Sequence, residues 1–258
     1  MLAITLAAGS GTRMGILTSN KPKTLIEFQG ETLLARQRRL FKEFSFKHYV
    51  IGGYKHESIE IEPSSLLVNH QFNETNMVYS LFCARQLLES CIDHQDVIIS
   101  YGDIIYQKSV LHQLTDAKMG DIQVCSDKNF LSYWSIRMEN PLNDLETFFV
   151  SENGYISEIG LKPQCLSKIM GQYIGLFKIS RRYIKKLIKI YDELEHQNIR
   201  PEKISMTDFI QILIQNECKA YPVYINGGWL EFDTRQDIDV YSKLNDSEHL
   251  KKFYDYRN

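Results

Sequence analysis

Two cations accompany a glycine-rich segment near the start of this 258-residue chain. Residues 6–15 include three glycines and follow an apolar run, residues 1–6, that predicts a buried strand. Glycine lets backbone N–H groups approach an anion closely, because no Cβ stands in the way. Arg13 and Lys23 bring two permanent positive charges to the same place. This order of elements predicts a loop that binds a nucleoside triphosphate and supports attack on it.

The glycine spacing matches neither of two common phosphate-binding loops. A Walker A loop requires Gly-Lys-Ser/Thr after the glycines, and this segment has none. Gly9, Gly11 and Gly15 are spaced two and four, whereas the dinucleotide fingerprint requires two and three. A strand-to-helix turn without a ligand is the structural alternative, but such a turn does not need the two cations.

Two aspartates follow predicted strands and could hold a metal ion. Asp103 comes just after the apolar segment 96–100, and Asp233 ends a strand late in the chain. A buried carboxylate is costly unless it is paired or holds a cation. One or two carboxylates with triphosphate oxygens and waters are a typical Mg²⁺ site. The alternative is that each aspartate caps a following helix, and the neighbouring glycine loop favours Mg²⁺.

Alternating strand and helix patterns predict an α/β fold with a largely parallel sheet. In the first half the predicted strands are 48–51, 65–69 and 96–100, and the predicted helices are 33–44 and 76–89. Ligands in such sheets bind at the carboxyl ends of strands. The segments after Leu6, Ile51 and Ser100 are therefore expected at one edge.

The second half contains shorter strands separated by turns. The predicted strands are 123–126, 147–150, 156–159, 173–179 and 220–224, and the predicted helices are 181–196, 206–216 and 235–244. The first four strands predict small antiparallel additions that build an acceptor pocket. Residues 1–244 are predicted to form a single domain, and the polar residues 245–258 a tail that frays.

Composition excludes several classes of protein. The net charge is −2 without a basic block, which argues against a nucleic-acid partner. The apolar runs are far too short for a membrane span, and the N-terminus shows no signal peptide. Five widely spaced cysteines fit neither a zinc site nor a disulfide framework, and they predict a cytoplasmic protein.

The motifs resemble a known family. Residues 6–13 with Pro22 and Lys23 resemble the signature of sugar nucleotidyltransferases and bacterial phosphocholine cytidylyltransferases. Five further segments resemble one branch: 75–78, 100–106, 140–147, 171–176 and 229–233. That branch contains the phosphoglutamine cytidylyltransferases of capsular phosphoramidate biosynthesis and phosphocholine cytidylyltransferase-like proteins. The resemblance covers nearly the whole chain and implies a Rossmann-like nucleotidyltransferase fold, with a mixed, mostly parallel sheet flanked by helices.

The resemblance implies a reaction in which a phosphate oxygen of a small acceptor attacks the α-phosphorus of CTP and pyrophosphate leaves. Arg13 would hold the β and γ phosphates, and Lys23 would bridge the α-phosphate and the acceptor phosphate. Asp103 and Asp233 would hold Mg²⁺, with support from Glu231. The residues implied for the nucleotide are Leu6, Ala8, Gly9, Ser10, Gly11, Gly53 and Asn76. Such a transfer needs positioning and charge neutralisation rather than a protein nucleophile.

The acceptor is less well defined. A quaternary ammonium, as in phosphocholine, calls for an aromatic cage, which Trp134, Tyr133 and Tyr173 could supply. The α-carboxylate of phosphoglutamine calls for a cation, which Arg137 or Lys162 could supply.

Both sets of residues are present, so several alternatives stay open. The resemblance in segments 75–78 and 140–147 favours phosphoglutamine, followed by phosphocholine and then a sugar 1-phosphate. A non-catalytic nucleotide-binding module is an alternative of another class. The residues themselves do not distinguish CTP from other triphosphates, and a homodimer is compatible with the sequence.

Overall fold

A seven-stranded sheet forms the centre of the part of the chain described by this computed structural model, residues 1–197, 199–246 and 249–255. The strands are β1 (Leu2–Ala7), β2 (Glu27–Phe28), β3 (Glu31–Thr32), β4 (Lys47–Gly52), β5 (Leu66–Val68), β6 (Val97–Tyr101), β7 (Ile104–Tyr106), β8 (Ile122–Asp127), β9 (Phe148–Val150), β10 (Ile156–Ile159), β11 (Gln172–Ile179), β12 (Ala220–Ile225) and β13 (Trp229–Glu231). The helices are α1 (Leu33–Glu43), α2 (Met77–Phe82), α3 (Arg85–Cys91), α4 (Lys108–Asp116), α5 (Phe130–Arg137), α6 (Ile184–Glu193), α7 (Met206–Gln215) and α8 (Arg235–Asp246). None of these helices, which belong to the described residues, is long and apolar enough to cross a membrane.

The strand order of the central sheet is β12-β8-β11-β6-β1-β4-β5. Strand β11 runs antiparallel to β6 and β8, and the other neighbours are parallel. The predicted mixed, mostly parallel sheet with small antiparallel additions is thus confirmed. The assignment of strands to the additions is corrected. Strands β9 and β10 form a separate antiparallel pair, whereas β8 and β11 lie inside the central sheet.

Helices cover both faces of the sheet. Ile4 and Ile99 belong to a core on one face, which Phe209 of α7 completes. Ala3 belongs to the core on the other face, together with Phe41 of α1. Strand β1 is buried along its whole length because alternate residues face the two cores. Its uninterrupted apolar sequence, rather than an alternating pattern, follows from this position.

The carboxyl ends of β1, β4 and β6 meet at one edge, as predicted. Leu6 of β1 lies opposite both Ile51 and Tyr101 in the parallel register. Just beyond β4 the backbone at Gly53 packs directly against the glycine loop. A Cβ on Gly53 would lie 2.6 Å from the carbonyl oxygen of Ala8, so only glycine allows this approach.

The prediction of one helix over residues 76–89 is wrong. Two helices occupy this stretch, and the chain leaves helical geometry at Ala84, with φ −93° and ψ 22°. The two helices have different partners: α2 packs against α7, whereas α3 packs against α6. The bond from Arg85 Nη2 to Asp192 on α6, 2.7 Å long, strengthens the second contact.

Residues 249–255 fold back on the domain instead of extending from it. Leu250 and Tyr254 are buried, and the carbonyl oxygen of Phe253 accepts a 2.6 Å hydrogen bond from the backbone N–H of Gly228. Arg36 Nη1 lies 3.5 Å from the Tyr254 hydroxyl. The expectation of a fraying polar tail is corrected for these residues, because two buried side chains and several hydrogen bonds tie the segment to the domain.

Candidate active site

A cavity of about 310 Å³ opens at the carboxyl ends of β1 and β6. Nearly all residues predicted to bind the nucleotide, its phosphates or a metal line it: Leu6, Ala8, Gly9, Ser10, Gly11, Arg13, Lys23, Asn76, Asp103 and Asp233. Gly53 and Glu231 are the exceptions: Gly53 lies behind the wall formed by Ala8, and Glu231 lines the neighbouring cavity that also contains Trp134 and Tyr173. Asn76 also caps α2, where its side-chain oxygen accepts a 2.8 Å hydrogen bond from Met77 N–H.

The glycine loop is fixed by its own backbone. Gly11 has φ +61°, a left-handed conformation that favours glycine, and it leads into two short 3₁₀ turns within Thr12–Thr18 that are separated by a kink at Gly15, where φ is +58°. The Thr18 hydroxyl donates a 2.9 Å hydrogen bond to the carbonyl oxygen of Gly11. Met14 is fully buried and anchors the turn in the core. The exposed Arg13 is therefore carried by a loop with a defined shape.

A small two-stranded sheet brings Asp103 and Asp233 together. Strand β7 pairs antiparallel with β13, with Ile104 opposite Glu231. Beyond the pair, Phe232 N–H donates a 2.9 Å hydrogen bond to the carbonyl oxygen of Asp103. The two aspartates, distant in sequence, thus lie at adjacent ends of paired strands. Neither strand is longer than three residues, and no periodicity in the sequence indicates them.

Lys23 lies between the two aspartates. Its Nζ is 2.6 Å from Oδ2 of Asp103 and 3.3 Å from Oδ1 of Asp233. Arg13 forms a second ion pair with Asp233. Burial disfavours the charged form of Lys23, but Asp103 and the nearby Asp233 and Glu231 outweigh it, so the pKa of the ammonium is raised above its usual value. Lys23 therefore remains a cation near neutral pH.

The aspartates fit a metal ion that also binds phosphate oxygens. Oδ1 of Asp103 is buried and has no hydrogen-bond partner in the described part of the chain, an arrangement that costs free energy unless a cation binds there. Within residues 1–197, 199–246 and 249–255, no three carboxylate, imidazole or thiol groups form a ready-made metal cluster. The donor set available is therefore Asp103 and Asp233 with oxygens of the ligand, which is how Mg²⁺ is commonly held.

Glu231, expected to support the metal, has a different partner. Its Oε2 accepts a 2.6 Å hydrogen bond from Arg137 Nη1. Burial raises the pKa of Glu231 to about 7 although the charge of Arg137 opposes the rise. The same guanidinium donates through Nε to Oδ1 of Asp237, at 2.9 Å. Asp237 in turn accepts hydrogen bonds from the backbone N–H groups of Asp233 and Thr234.

This network corrects the expected role of Arg137. Its side chain is 2% exposed and its N–H groups are engaged by Glu231 and Asp237, so it is not available to an acceptor carboxylate. Lys162 lines neither the cavity at the glycine loop nor the neighbouring cavity that contains Trp134 and Tyr173, and its ammonium donates to the carbonyl oxygen of Asn143. Tyr133, expected in an aromatic cage, is buried in the core with its hydroxyl 2.5 Å from that of Tyr241.

A second cavity of about 270 Å³ adjoins the first and shares Arg13, Met77 and Tyr101 with it. Trp134 and Tyr173, both predicted to contact the acceptor, line this cavity. Two carboxylates in the wall of this acidic cavity, Asp144 and Glu146, were not predicted from the sequence.

The two carboxylates are held by neighbouring side chains. Trp134 Nε1 donates a 2.8 Å hydrogen bond to Oδ2 of Asp144. The Thr207 hydroxyl lies 3.4 Å from Oε1 of Glu146. Burial raises the pKa of Glu146, and the Thr207 hydroxyl opposes that rise. Aromatic rings and carboxylates together favour a positively charged ligand group.

Comparison with known proteins agrees with this geometry. Residues 3–160 match the model of the MobA-like NTP transferase domain. The chain belongs to the MobA-like NTP transferase family. It is 35% identical to the CTP:phosphoglutamine cytidylyltransferase of Campylobacter jejuni over 251 residues, which cover 93% of this chain and 98% of the relative. Over 106 residues, 39% of this chain and 46% of the relative, it is 30% identical to the choline-phosphate cytidylyltransferase of Haemophilus influenzae.

A solved structure has the same fold. The phosphocholine cytidylyltransferase LicC of Streptococcus pneumoniae superimposes with a TM-score of 0.70 at 18% identity, over 96% of this chain and 98% of that chain. The predicted family is confirmed, and this MobA-like NTP transferase is a nucleotidyltransferase.

The site of this MobA-like NTP transferase can act without a protein nucleophile. Two cavities meet at Arg13, and Lys23 lies in the first beside two carboxylates. Preorganised cations aimed at transferring phosphates stabilise the charge that develops during the transfer. The arrangement is suited to joining a triphosphate in one cavity with a second phosphate from the other.

Proposed function

We propose that this enzyme transfers the cytidylyl group of CTP to a phosphate oxygen of L-glutamine phosphate, giving CDP-L-glutamine and pyrophosphate. The observation that carries the proposal is the acidic cavity, which adjoins the glycine-loop cavity across Arg13. The 35% identity with the Campylobacter jejuni enzyme, along almost the full length of both chains, supports CTP as donor and phosphoglutamine as acceptor.

In the proposed reaction, an acceptor phosphate oxygen forms a bond to the α-phosphorus of CTP. The bond from that phosphorus to the oxygen that bridges to the β-phosphorus breaks, and pyrophosphate leaves with the electron pair. Lys23 holds the α-phosphate and the incoming phosphate, and Arg13 holds the β and γ phosphates. Both cations are paired with carboxylates in this structure. The phosphates therefore replace carboxylate oxygens as their partners.

A divalent cation is part of the proposal. Asp103 and Asp233 are the residues that would hold it, since Oδ1 of Asp103 is buried without a partner. Mg²⁺, when bound there with the triphosphate, would neutralise charge on the phosphates. The carboxylates, relieved of their ion pairs with Arg13 and Lys23, leave those side chains available to the substrate.

The α-ammonium group of the acceptor is assigned to the acidic cavity. Asp144 and Glu146 supply negative charge, and Trp134 and Tyr173 supply aromatic surface. An ammonium group can donate hydrogen bonds to these carboxylates. With Arg137 engaged in the core, Arg13 is the remaining predicted cation that lines this cavity and can approach the acceptor carboxylate.

Phosphocholine is the second candidate acceptor. Its quaternary ammonium has no hydrogen to donate and relies on aromatic faces and nearby charge, both of which line the acidic cavity. The partial identity with the Haemophilus influenzae enzyme supports the same candidate. The two acceptors differ in the carboxylate that glutamine carries, so an assay with both distinguishes them.

The test is a matrix of substrates. The protein is incubated with Mg²⁺, with each of CTP, UTP, ATP and GTP, and with L-glutamine phosphate, phosphocholine or glucose 1-phosphate. Pyrophosphate release and the mass of the product are measured, with Lys23→Met as the inactive control. Release with CTP and L-glutamine phosphate is expected. Release only with phosphocholine would make phosphocholine the acceptor in place of L-glutamine phosphate. No release with any pair would refute the proposed activity.

A further inference from the structure

Gln37 lies on α1, outside the lining of both cavities, yet its side chain contacts the turn that carries Asp103. The amide is buried, and Nε2 donates 2.7 Å hydrogen bonds to the carbonyl oxygens of Tyr101 and Ile104. These two carbonyls flank the turn that joins β6 to β7. One amide group thus bonds both ends of the turn.

The orientation of the amide is determined by a chain of hydrogen bonds. The Thr5 hydroxyl donates to Oε1 of Gln37 at 2.8 Å and lies 2.8 Å from Nε2 of His48. A hydroxyl has one hydrogen, so the imidazole must donate to Thr5. The NH₂ group of Gln37 is left to face the two carbonyls. Both of its hydrogens are used, which holds the side chain in one position.

Two further bonds hold the same turn. Gly102 N–H donates to the carbonyl oxygen of Leu6 at 2.8 Å, and Phe232 N–H donates to that of Asp103 at 2.9 Å. These bonds fix the turn to β1 and β13, while Gln37 fixes its two ends to α1. The backbone of Asp103 is thereby held on three sides, and its carboxylate is directed at Lys23.

We infer that Gln37 is a positioning residue that aims the Asp103 carboxylate at the metal and phosphates of the substrate. The inference rests on the proposed function, because it assigns Asp103 a metal-binding role. A misplacement of about 1 Å at a catalytic group can reduce a rate by about a hundredfold. Loss of two hydrogen bonds to this turn should therefore lower turnover, although Gln37 touches no substrate.

The test compares two buried glutamines. Gln123 is also buried and its amide also bonds two carbonyls, those of Met119 and Gly120, but it lies at the opposite edge of the sheet from Asp103. The variants Gln37→Met and Gln123→Met each remove two hydrogen bonds from an amide to backbone carbonyls, and Gln37→Met also removes the one that Oε1 accepts from Thr5. Thr5→Val, which removes the bond that orients Gln37, serves as a second variant if Gln37→Met does not fold.

Two quantities are measured for each folded variant. Steady-state pyrophosphate release gives kcat and KM, and electron paramagnetic resonance gives the Kd for Mn²⁺ in the presence of CTP. For Gln37→Met we expect kcat to fall by about tenfold or more, the Kd for Mn²⁺ to rise several-fold, and the KM for the acceptor to stay within about twofold. Gln123→Met should have the wild-type kcat and Mn²⁺ affinity even if its melting temperature is lower than that of the wild type.

Wild-type values of kcat and Mn²⁺ affinity in Gln37→Met or Thr5→Val would overturn the inference while leaving the proposed function intact. An equal loss in Gln123→Met would also overturn it, since the effect would then be one of general stability. A wild-type protein that neither releases pyrophosphate nor binds Mn²⁺ with CTP would instead refute the proposed function itself.

Discussion

The ammonium of Lys23 lies 2.6 Å from Oδ2 of Asp103, which joins the N-terminal loop to the turn after β6. The same ammonium reaches Asp233, 210 residues along the chain. Three separate parts of the sequence therefore meet at one cation. With Arg13, which also pairs with Asp233, two cations face two carboxylates, and a triphosphate must compete with the carboxylates for Lys23.

Replacing Lys23 tests its role in the transfer. For Lys23→Met we expect kcat/KM for CTP to fall by about a hundredfold to a thousandfold, roughly 3–4 kcal/mol, the effect of losing a charged group that stabilises a transition state. Lys21→Met is the matched control, because Lys21 lies two residues away and does not line the glycine-loop cavity. Pyrophosphate release measures both. Full activity in Lys23→Met would remove this residue from the mechanism.

The acidic cavity should determine acceptor affinity and leave the nucleotide unaffected. For Glu146→Gln and Asp144→Asn we expect the KM of the acceptor to rise by about tenfold, since each removes a charge facing an ammonium group. The KM for CTP should remain near the wild-type value. Glu152→Gln, at an exposed turn, is the control. An unchanged acceptor KM in both cavity variants would show that the ammonium binds elsewhere.

Arg137 should contribute mainly to the stability of the fold rather than to acceptor binding. For Arg137→Met we expect the free energy of unfolding, from urea titration, to fall by about 3–5 kcal/mol, because Asp237 and Glu231 lose their shared buried partner. Lys189→Met, which removes an exposed cation from an i,i+4 pair on α6, should change it by less than about 1 kcal/mol. A stable Arg137→Met protein with a raised acceptor KM would restore Arg137 as an acceptor ligand.

His48 gives the protein an acid-sensitive element. Burial, aided by the charge of Arg38, lowers the pKa of His48 in the fold to about 3, against 6.5 in the unfolded chain. The unfolded chain takes up the proton first, so this contribution to stability is full above pH 6.5 and is lost as the pH falls from 6.5 towards 3. Wild type should lose about 2 kcal/mol more than His48→Gln between pH 7 and pH 5.

Urea unfolding at the two pH values checks this expectation. Glutamine at position 48 can still donate to the Thr5 hydroxyl, so the variant removes the titrating group and preserves the hydrogen-bond direction. Equal pH dependence in both proteins would mean that His48 is protonated in the fold as easily as in the unfolded chain.

Local patterns in the sequence were sufficient for the donor half of the site. The strand, the glycines and the two cations lie within 23 residues, and parallel strands share the edge at which they end. The cavity accordingly contains the predicted loop residues with Lys23, Asp103 and Asp233. The roles of these residues in catalysis remain predictions.

The acceptor half depends on contacts that no local pattern encodes. An arginine is equally suited to a substrate carboxylate and to a buried ion pair. Arg137 has the second role because Glu231 and Asp237, about 100 residues away, fold against it. Asp144 and Glu146 were missed because nothing in the local sequence distinguishes a carboxylate that lines a cavity from one at an ordinary surface position. They look like ordinary polar residues until the fold places them in the wall of one cavity with residues of α5, β11 and α7.

The order of the strands in the sheet was also not predictable from local patterns in the sequence. The apolar pattern of residues 173–179 indicates a strand but not its neighbours. The short strands β7 and β13 carry no recognisable period, yet their pairing places Asp103 beside Asp233. Pairing partners are chosen by tertiary packing, and sequence periodicity reports only which faces are buried.

The separation of 210 residues between Lys23 and Asp233 has a consequence for the protein during its synthesis. The glycine loop emerges from the ribosome early, but the segment with Glu231 and Asp233 emerges after most of the sheet has been made. A nascent chain can thus contain the glycine loop and Asp103 before it has Asp233, the second of the two carboxylates proposed to hold the metal. Under the proposed function, catalytic competence is therefore reached only after the segment with Asp233 has been made, and a shorter chain would not consume nucleotide.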